Sequence, residues 1–232
     1  MEWKEVKVCQ ENEIQIDSSV KVAGKVRKRT IEQARSYEAN RYSKRRRGRR
    51  LNRIDKAFAL KVYAMVGGDS CIVDVPCGSG RFYDIFSKAK SLIMVDCDSN
   101  MLKVARERHG QAENVKMLQA DILSLPLDDN SADLCFSMRL FHHMETEAII
   151  LNALKELARV SGKYVALSFY NKNCWRYYSR KLRRKKITGH YFSFSRMVSM
   201  GKHAGLEIVA KHPRINLVEQ QCLVLFKKVQ DL

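Results

Sequence analysis

Short apolar segments recur through the middle of the chain, and each ends at a polar turn. Four of them are Ile72–Val75, Leu92–Val95, Val115–Leu118 and Ala132–Ser137. They are mostly continuous apolar runs rather than alternating ones, which is typical of strands buried on both faces of a parallel sheet. Segments with helical periodicity separate them. The pattern therefore predicts an α/β domain in which strands and helices alternate.

The same pattern extends to the C-terminal half. Helices are predicted over 57–66, 81–89, 100–109, 147–160 and 196–204, with Ser99 and Ser195 as N-caps of the third and fifth. Further strands are predicted over 164–169, 206–211 and 221–227, and a loop containing Pro213 separates the last two. Because these two strands are joined by one short connection, we expect an antiparallel hairpin that closes the sheet.

The N-terminal part is less regular. Residues 1–30 contain two short alternating patterns, which fit either a flap or a disordered leader. Residues 31–65 have a helical pattern, with a break expected near Gly48. We therefore divide the chain into an N-terminal extension with a basic helical segment (1–54) and an α/β domain (55–232).

A glycine-rich turn directly follows the first apolar strand. The sequence reads D-V-P-C-G-S-G-R-F from Asp74 to Phe82. Gly78 and Gly80 have no Cβ, so the backbone there can adopt positive φ and approach a ligand closely. Asp96 ends the next strand about twenty residues later, where a doubly wound sheet places the carboxylate that binds ribose hydroxyls. Asp121 follows the third strand, so several strand ends converge on one site.

These segments resemble the class I S-adenosylmethionine-dependent methyltransferases. The resemblance rests on D-V-P-C-G-S-G-R-F, V-D-C-D-S-N-M-L (95–102), Q-A-D-I-L-S-L-P-L-D-D-N-S-A-D (119–133) and L-F-H-H-M (140–144). It implies a Rossmann-like three-layer α/β sandwich with a mostly parallel seven-stranded sheet, whose last strand is antiparallel, and an N-terminal helical lid. Pro76 departs from the family, which usually has the first glycine of its loop at this position.

The resemblance also implies a cofactor, S-adenosyl-L-methionine, and a set of residues around it. Gly78 and Gly80 would pass under the methionine portion, Asp96 would bind the ribose, Asp121 the adenine amine, and Ile122 the adenine face. The full set of implied cofactor-binding residues is Asp74, Cys77, Gly78, Ser79, Gly80, Asp96, Cys97, Met101, Asp121, Ile122 and Met138. A nicotinamide or flavin dinucleotide site is disfavoured because its third glycine would be Tyr83.

Net charge indicates the kind of partner. The formal charge is +18, which favours polyanions such as nucleic acid, anionic lipid or phosphorylated glycans. The cations concentrate in K-R-R-R-G-R-R (44–50) and in the aromatic-interleaved segment 173–186. Both could be plain solvated faces. The second would suit either stacking on RNA or a helix lying on an anionic membrane.

The segment after the fourth strand should border the methyl acceptor. It contains the adjacent pair His142 and His143, and an imidazole there could act as a general base near neutral pH. We assign His142 as the candidate catalytic residue and His143 as structural. The residues expected to bind substrate are Tyr37, Arg41, Tyr42, Arg139, His142, Tyr178, Arg180 and Tyr191. The Asn/Asp-Pro-Pro-aromatic motif of amine methylases is absent from the sequence.

The cysteines indicate a reducing compartment. There are seven, none in a C-x-x-C pair, and Cys77 is assigned to packing rather than to nucleophilic chemistry. The sequence predicts no metal site, no secretory signal and no membrane span. We therefore expect a cytoplasmic protein, with peripheral contact at the inner membrane surface as an additional hypothesis.

Four classes of function remain open from the sequence. The basic segment from Arg176 to Arg184 is similar to bacterial methyltransferases found with lipopolysaccharide-core kinases, and this favours a phosphorylated glycolipid or other envelope acceptor. RNA is the next alternative, followed by a small metabolite. The fourth is a cofactor-binding scaffold without transfer activity.

Overall fold

The computed structural model describes residues 29–187, 189–211 and 220–229. The patterns noted within residues 1–28 and the loop with Pro213 lie outside these ranges. The helices are α1 (Ile31–Glu38), α2 (Arg46–Val66), α3 (Tyr83–Phe86), α4 (Ser99–His109), α5 (Glu147–Val160), α6 (Trp175–Leu182) and α7 (Phe194–His203). The strands are β1 (Cys71–Asp74), β2 (Ser91–Asp96), β3 (Val115–Gln119), β4 (Ala132–Ser137), β5 (Ser161–Asn171), β6 (Tyr191–Phe192), β7 (Leu206–Lys211) and β8 (Gln221–Lys228). A π-helical turn (Ala39–Ser43) joins α1 to the start of α2, and a short 3-10 helix (Phe141–His143) follows β4.

The strands form one sheet in the order β3-β2-β1-β4-β5-β8-β7, and the two-residue strand β6 pairs with β5. Pairing is parallel from β3 to β5, while β8 runs antiparallel to both β5 and β7. The predicted Rossmann-like sheet, with its last strand antiparallel, is confirmed. Strand order reverses between β1 and β4, so the crevice at their carboxyl ends is where such a fold binds ligands.

Two apolar cores lie on opposite faces of the sheet. One includes side chains from α5 and α7, and the other includes side chains from α2, α3 and α4. The strands supply both cores because neighbouring residues point to opposite faces: Val73 lies in the first core and Ile72 in the second. The result is the predicted three-layer sandwich.

Three local predictions were wrong. Asp98, not Ser99, caps α4, because its carboxylate accepts the Asn100 N–H at 3.1 Å. Ser193, not Ser195, caps α7, because its hydroxyl accepts the Arg196 N–H at 3.2 Å. The first crossover helix is limited to α3, since the chain then turns so that the Lys90 N–H can bind the Gly68 carbonyl at 2.8 Å.

The helix break predicted near Gly48 lies slightly earlier, at Lys44 and Arg45, and α2 then continues without interruption over 21 residues. Gly48 is buried where α2 crosses the π-helical turn, and a Cβ at this position would collide with the Arg41 carbonyl oxygen. Glycine is therefore needed for close packing of the two segments. The basic tract begins α2, and the predicted division between residues 54 and 55 falls inside this helix.

Candidate active site

The glycine-rich loop is held by backbone hydrogen bonds to β2. The Cys77 N–H donates to the Val95 carbonyl at 2.8 Å, and the Gly78 N–H donates to Asp96 Oδ2 at 2.9 Å. Gly78 has φ +59°, in the left-handed region that favours glycine. The Val75–Pro76 peptide bond is cis. Pro76 occupies the position at which the family usually has its first glycine, and the loop that contains it still contacts the end of β2.

Two buried carboxylates lie beneath this loop. Asp96 accepts the Gly78 N–H and, at 2.9 Å through Oδ1, the Asp98 N–H. Burial raises the pKa of Asp96, partly offset by these two hydrogen bonds. Burial, and then the nearby Asp96, raise the pKa of Asp74 well above its usual range. Within the described residues, Asp74 Oδ1 has no hydrogen-bond partner, so it can accept a donor from a ligand.

Gly80 packs against the end of α4, and its place under the methionine portion of the cofactor stays a prediction. Its φ is +90°, and a Cβ would lie 2.5 Å from Cδ2 of His109 at the end of α4. The His109 ring stacks on Tyr83, with centroids 3.9 Å apart. Gly80 therefore lets the end of α4 pack against the loop. A Cβ on Gly78 would lie 3.2 Å from Met101 Cε, closer than most Cβ contacts, so the end of the Met101 side chain would have to shift slightly.

The remaining predicted cofactor residues surround the same crevice. Burial raises the pKa of the Cys77 thiol, and burial followed by Asp96 raises the pKa of Cys97 to about 12. Both thiols are therefore protonated at neutral pH, as the packing assignment of Cys77 expects. Asp121 accepts the Leu123 N–H at 2.9 Å. Met101, Ile122 and Met138 are buried, and their contact with a cofactor remains a prediction.

The lid helix α1 closes over this crevice. Ser79 Oγ donates to Glu38 of α1 at 2.5 Å, and Glu38 also pairs with Arg108 of α4 at 3.2 Å. The Arg29 guanidinium, just before α1, lies 3.3 Å from Asp98. Ala34 of α1 packs on Met101 and Val104 in a small separate apolar cluster. The predicted lid thus contacts both the loop and the helix that follows β2.

A buried ionic network connects the lid to the loop and to the end of β4. Asp55 of α2 is 1% exposed, and its Oδ2 lies 2.5 Å from Arg81 of the loop and 2.8 Å from Arg139 after β4. Its Oδ1 accepts from Gln221 of β8 at 3.0 Å. Arg81 Nε also donates to Asn52 at 2.9 Å. Three distant parts of the chain are therefore joined through one carboxylate.

Aromatic stacking completes this network. The buried ring of Tyr42, in the π-helical turn, lies 3.8 Å from the Arg81 guanidinium and 5.5 Å from that of Arg139, both centroid distances. Arg139 has φ +61°, and its N–H donates to Ser168 Oγ at 2.7 Å. Burial lowers the pKa of Arg139, but Asp55 and Tyr42 outweigh it, so the net shift is upward. Arg139 is therefore a fixed cation.

A cavity of about 530 Å³ opens next to Arg139, between the lid and the ends of β4, β5 and β8. Five arginines border it, and the described residues that line it include no aspartate, glutamate, histidine, lysine or cysteine. The lining residues are Tyr37, Asn40, Arg41, Tyr42, Arg45, Arg47, Gly48, Leu51, Arg139, Tyr170, Arg176, Gln220 and Gln221. Its composition favours a ligand with a negative group.

The structure brings half of the predicted substrate residues to this cavity. Tyr37, Arg41, Tyr42 and Arg139 line it. The other four lie outside the lining: His142, Tyr178, Arg180 and Tyr191. His142 stacks behind Tyr170 at 3.9 Å, and Tyr191 donates to Gln220 at 2.8 Å, so both support lining residues. Tyr178 is exposed, and Arg180 donates to the Lys186 carbonyl at 2.9 Å.

Several lining residues were not predicted individually. Arg45 and Arg47 belong to the basic tract, which was recognised only as a whole, and Arg176 belongs to the second basic segment. The signal for Tyr170, at the end of β5, was its position at the carboxyl edge of the sheet. Gln220 and Gln221 come from the start of β8, and their polar side chains before an apolar strand gave no specific signal.

His142 lies in an environment unlike that of a general base. Its side chain is buried between Tyr170 and His143, and Nδ1 has no hydrogen-bond partner among the described residues. Burial, followed by His143 and the nearby arginines, lowers its pKa to about 2. A base so weak contributes little to proton removal. The catalytic role of His142 stays a prediction, and the geometry favours support of Tyr170.

Comparisons with known proteins agree with this architecture. Residues 72–163 match a family model described as a methyltransferase domain. Mouse tRNA (carboxymethyluridine(34)-5-O)-methyltransferase ALKBH8 is 37% identical over 93 residues, which are 39% of this chain and 13% of that protein. The UbiE ubiquinone/menaquinone biosynthesis C-methyltransferase of Pseudomonas savastanoi is 28% identical over 165 residues, 66% of this chain and 59% of UbiE. The chain thus spans less than two thirds of either relative.

Solved structures show the same fold. A chain from the Haloferax volcanii complex of the Trm112 methyltransferase activator covers 88% of this chain and is itself covered completely, with TM-score 0.63 and 18% identity. Magnesium protoporphyrin IX methyltransferase from Synechocystis, solved with S-adenosylhomocysteine, has TM-score 0.66 and 11% identity over 85% of this chain and 93% of its own.

Proposed function

We propose that this chain, a class I S-adenosylmethionine-dependent methyltransferase, methylates an acceptor whose nucleophile is an ionised oxygen of a carboxylate or phosphate group. The observation that carries the proposal is the arginine-lined cavity, in which the buried Arg139 shares its one counter-ion, Asp55, with Arg81. The cavity lies at the carboxyl ends of β4 and β5, beside the crevice where the loop and Asp96 lie.

The described residues fit the cofactor. We assign Asp74, whose buried Oδ1 is unpartnered among the described residues, to the cofactor's amino group, and Asp96 to the ribose hydroxyls. When bound, S-adenosylmethionine supplies an electrophilic methyl group on a sulfonium. The protein's contribution is then to align the acceptor and exclude water, and the contacts of α1 with Ser79 and α4 cover the crevice.

A charge count supports an anionic acceptor. The network around Asp55 contains one carboxylate and two guanidinium groups, from Arg81 and Arg139, which leaves one positive charge in excess. Both arginines are at least nine-tenths buried. An uncompensated buried charge is costly. Arg139 Nη2 also makes no well-aligned hydrogen bond within the described residues, so an acceptor anion in the cavity would satisfy both charge and donor.

The described residues that line the cavity include no carboxylate, histidine or lysine that could act as a base, and this supports the same class of acceptor. The titratable groups in the lining are arginines and tyrosines. A hydroxyl or protonated amine acceptor would need a group to take its proton, whereas a carboxylate or phosphate oxygen carries none at neutral pH. The arginines would then position the acceptor through charge-assisted hydrogen bonds.

Two carriers of the anionic group are favoured by different observations. A phosphorylated envelope glycolipid is the first, because the basic segment containing Arg176 is similar to methyltransferases found with lipopolysaccharide-core kinases. RNA is the second, because the mouse relative is named for methylating carboxymethyluridine in tRNA. That relative matches only 39% of this chain. Its name therefore supports the chemical type of the acceptor group more than it supports RNA as the acceptor molecule.

The test is transfer of a labelled methyl group from S-adenosylmethionine to RNA, envelope-lipid and metabolite fractions, with and without the Arg139→Met substitution. We expect label in one fraction, a base-labile methyl ester in the product if the acceptor is a carboxylate, and about 100-fold lower kcat/KM for Arg139→Met. Removal of the surplus cation leaves Asp55 paired with Arg81, so the variant should fold.

Calorimetric binding of S-adenosylhomocysteine separates this role from cofactor binding. Affinity should be the same for the wild type and Arg139→Met. An equal loss of cofactor affinity would assign Arg139 to the cofactor's own carboxylate and contradict the proposal. Cofactor binding with no label in any fraction would favour the scaffold hypothesis instead.

A further inference from the structure

Helix α6 presents an apolar stripe to solvent. Trp175, Tyr178 and Leu182 are 65%, 53% and 82% exposed, and their spacing of three and four residues places them on one side of the helix. The opposite side packs on the protein: the preceding Cys174 is buried, and the Tyr177 ring lies 5.0 Å from that of Tyr191. Large apolar side chains on the outer side of a surface helix indicate a binding surface.

The segment of the chain that carries this stripe contains cations and no acidic residue. The sequence has no aspartate or glutamate from residue 157 to residue 206. Immediately after the stripe comes R-R-K-K (183–186), followed by Ile187, which is also exposed. Arg180 and Lys181 lie within α6 itself. The partner of this surface must therefore be negatively charged and must also accept apolar side chains.

The geometry points to an anionic lipid surface as the occupant of α6. A Trp, a Tyr and a Leu on one side with lysines and arginines beside them are typical of a helix that lies in the membrane interface. RNA fits less well, since Leu182 and Ile187 have no ring on which a base can stack. A second copy of the chain would bring two cationic surfaces together.

The position of α6 connects this surface to the cavity. Arg176 lies on the same helix and lines the cavity, where its Nε donates to Gln220 at 2.9 Å. A membrane contact through the stripe would place lipid head groups near the cavity entrance. Docking itself goes beyond methyl transfer and needs no turnover. Among the described residues no helix is long and apolar enough to cross a membrane, so the contact would be peripheral.

The first measurement uses Trp175 as a reporter. The chain has two tryptophans, so Trp3→Phe leaves Trp175 alone. Its fluorescence should shift to the blue with mixed phosphatidylcholine and phosphatidylglycerol vesicles, and brominated acyl chains should quench it. Vesicles of phosphatidylcholine alone should give no shift. Absence of a shift with the anionic vesicles would overturn the inference.

The second measurement is vesicle co-sedimentation of full-length variants. The double variant Trp175→Ser, Leu182→Ser should weaken binding to anionic vesicles about tenfold. The double variant Lys185→Glu, Lys186→Glu should weaken this binding roughly fivefold or more for each cation that is replaced. Leu60→Ser is the matched control, since Leu60 is 54% exposed on α2, and it should bind as the wild type does. Retained affinity for S-adenosylhomocysteine checks the fold of each variant.

Three other results would contradict lipid docking. Equal loss of vesicle binding by Leu60→Ser would mean that general surface hydrophobicity is responsible. Tight RNA binding that depends on Trp175, without vesicle binding, would assign the stripe to nucleic acid. Wild-type dimers that become monomers in the Trp175→Ser, Leu182→Ser variant would assign it to self-association.

Discussion

The two sides of the crevice carry opposite charges, and these charges are compensated in different ways. On the loop side, Asp96 accepts N–H groups of its own backbone surroundings, from Gly78 and Asp98. On the cavity side, Arg81 and Arg139 share the single carboxylate of Asp55. The first arrangement is nearly complete without a ligand, apart from Asp74. The second keeps a surplus positive charge, so a ligand would complete it.

This difference predicts which substitutions damage the fold and which damage binding. Removing an acid from the loop side loses hydrogen bonds to backbone and ligand. Removing the one acid from the cavity side leaves two buried cations without compensation, whereas removing a cation there relieves the surplus.

The largest effect is expected for Asp55→Asn. Loss of the carboxylate should lower the free energy of unfolding by about 3–5 kcal/mol, the cost of breaking a buried ion pair from one side. Urea unfolding measures it. The matched control is Arg139→Met, which should cost much less stability because Asp55 keeps Arg81. Equal destabilisation by the two variants would show that no surplus charge exists.

The second largest effect is expected for Asp96→Ala. It removes the acceptor of the Gly78 and Asp98 N–H groups and the proposed ribose ligand, so affinity for S-adenosylhomocysteine should fall by about 100-fold or more. Calorimetric titration measures the loss. Asp84→Ala, at an exposed acid on α3 that lies 3.5 Å from Lys56, should leave affinity unchanged. Unchanged affinity in Asp96→Ala would remove the site assignment.

His142 should produce a pH-dependent effect on stability. Its pKa is about 2 in the folded protein and about 6.5 when unfolded. The unfolded chain therefore binds the extra proton as pH falls below 6.5, and stability falls with it. His142→Phe should remove about 2 kcal/mol of the loss between pH 7 and pH 5. Urea unfolding at both values measures it, with His203→Gln at an exposed histidine as the control.

The same variant tests the catalytic hypothesis. If the acceptor oxygen is already ionised, kcat/KM should show no limb near pH 6 to 7 that depends on His142, and His142→Phe should remain active. Such a limb, present in the wild type and missing in the variant, would restore His142 as a general base.

The smallest effect is expected at the rim of the cavity. Arg45 is exposed, so Arg45→Ala should raise KM by a factor of about five or less, with kcat unchanged, and the difference should shrink as salt increases. Lys61→Ala, outside the cavity lining, is the control. A loss as large as that of Arg139→Met would mean that the cavity binds its anion at the rim.

Sequence reasoning was sufficient for the loop side because its determinants are local. A strand, two glycines and an acid at the next strand end lie within about twenty residues of each other. The structure confirms the mostly parallel sheet with its last strand antiparallel, and it places Asp96 against Gly78. Gly80 was correctly predicted to lie in the loop. Its packing against His109 depends on how α4 ends, and the residues around Gly80 do not show this.

For the cavity side, the sequence predicted only an excess of positive charge and not the residues that form the network. Asp55, Arg81 and Arg139 come from three separate elements, and an acid in a helical pattern normally indicates a solvated position. The sequence also did not show which side of α6 faces the cavity. Arg176 and Arg180 are one turn apart in the same basic segment, yet Arg176 lines the cavity and Arg180 bonds to the Lys186 carbonyl. Sequence density of cations could not distinguish them.

The shared carboxylate of Asp55 constrains how this protein can evolve. A first mutation at Asp55 would lose several kcal/mol, a large part of the roughly 5–15 kcal/mol that stabilises a typical domain. Helix α2, the glycine-rich loop and the proposed acceptor cavity are therefore under joint selection at Asp55, Arg81 and Arg139. Descendants that adopt a neutral acceptor should have exchanged Arg139 first, because Arg139 lines the cavity and its loss leaves Asp55 and Arg81 as a neutral pair.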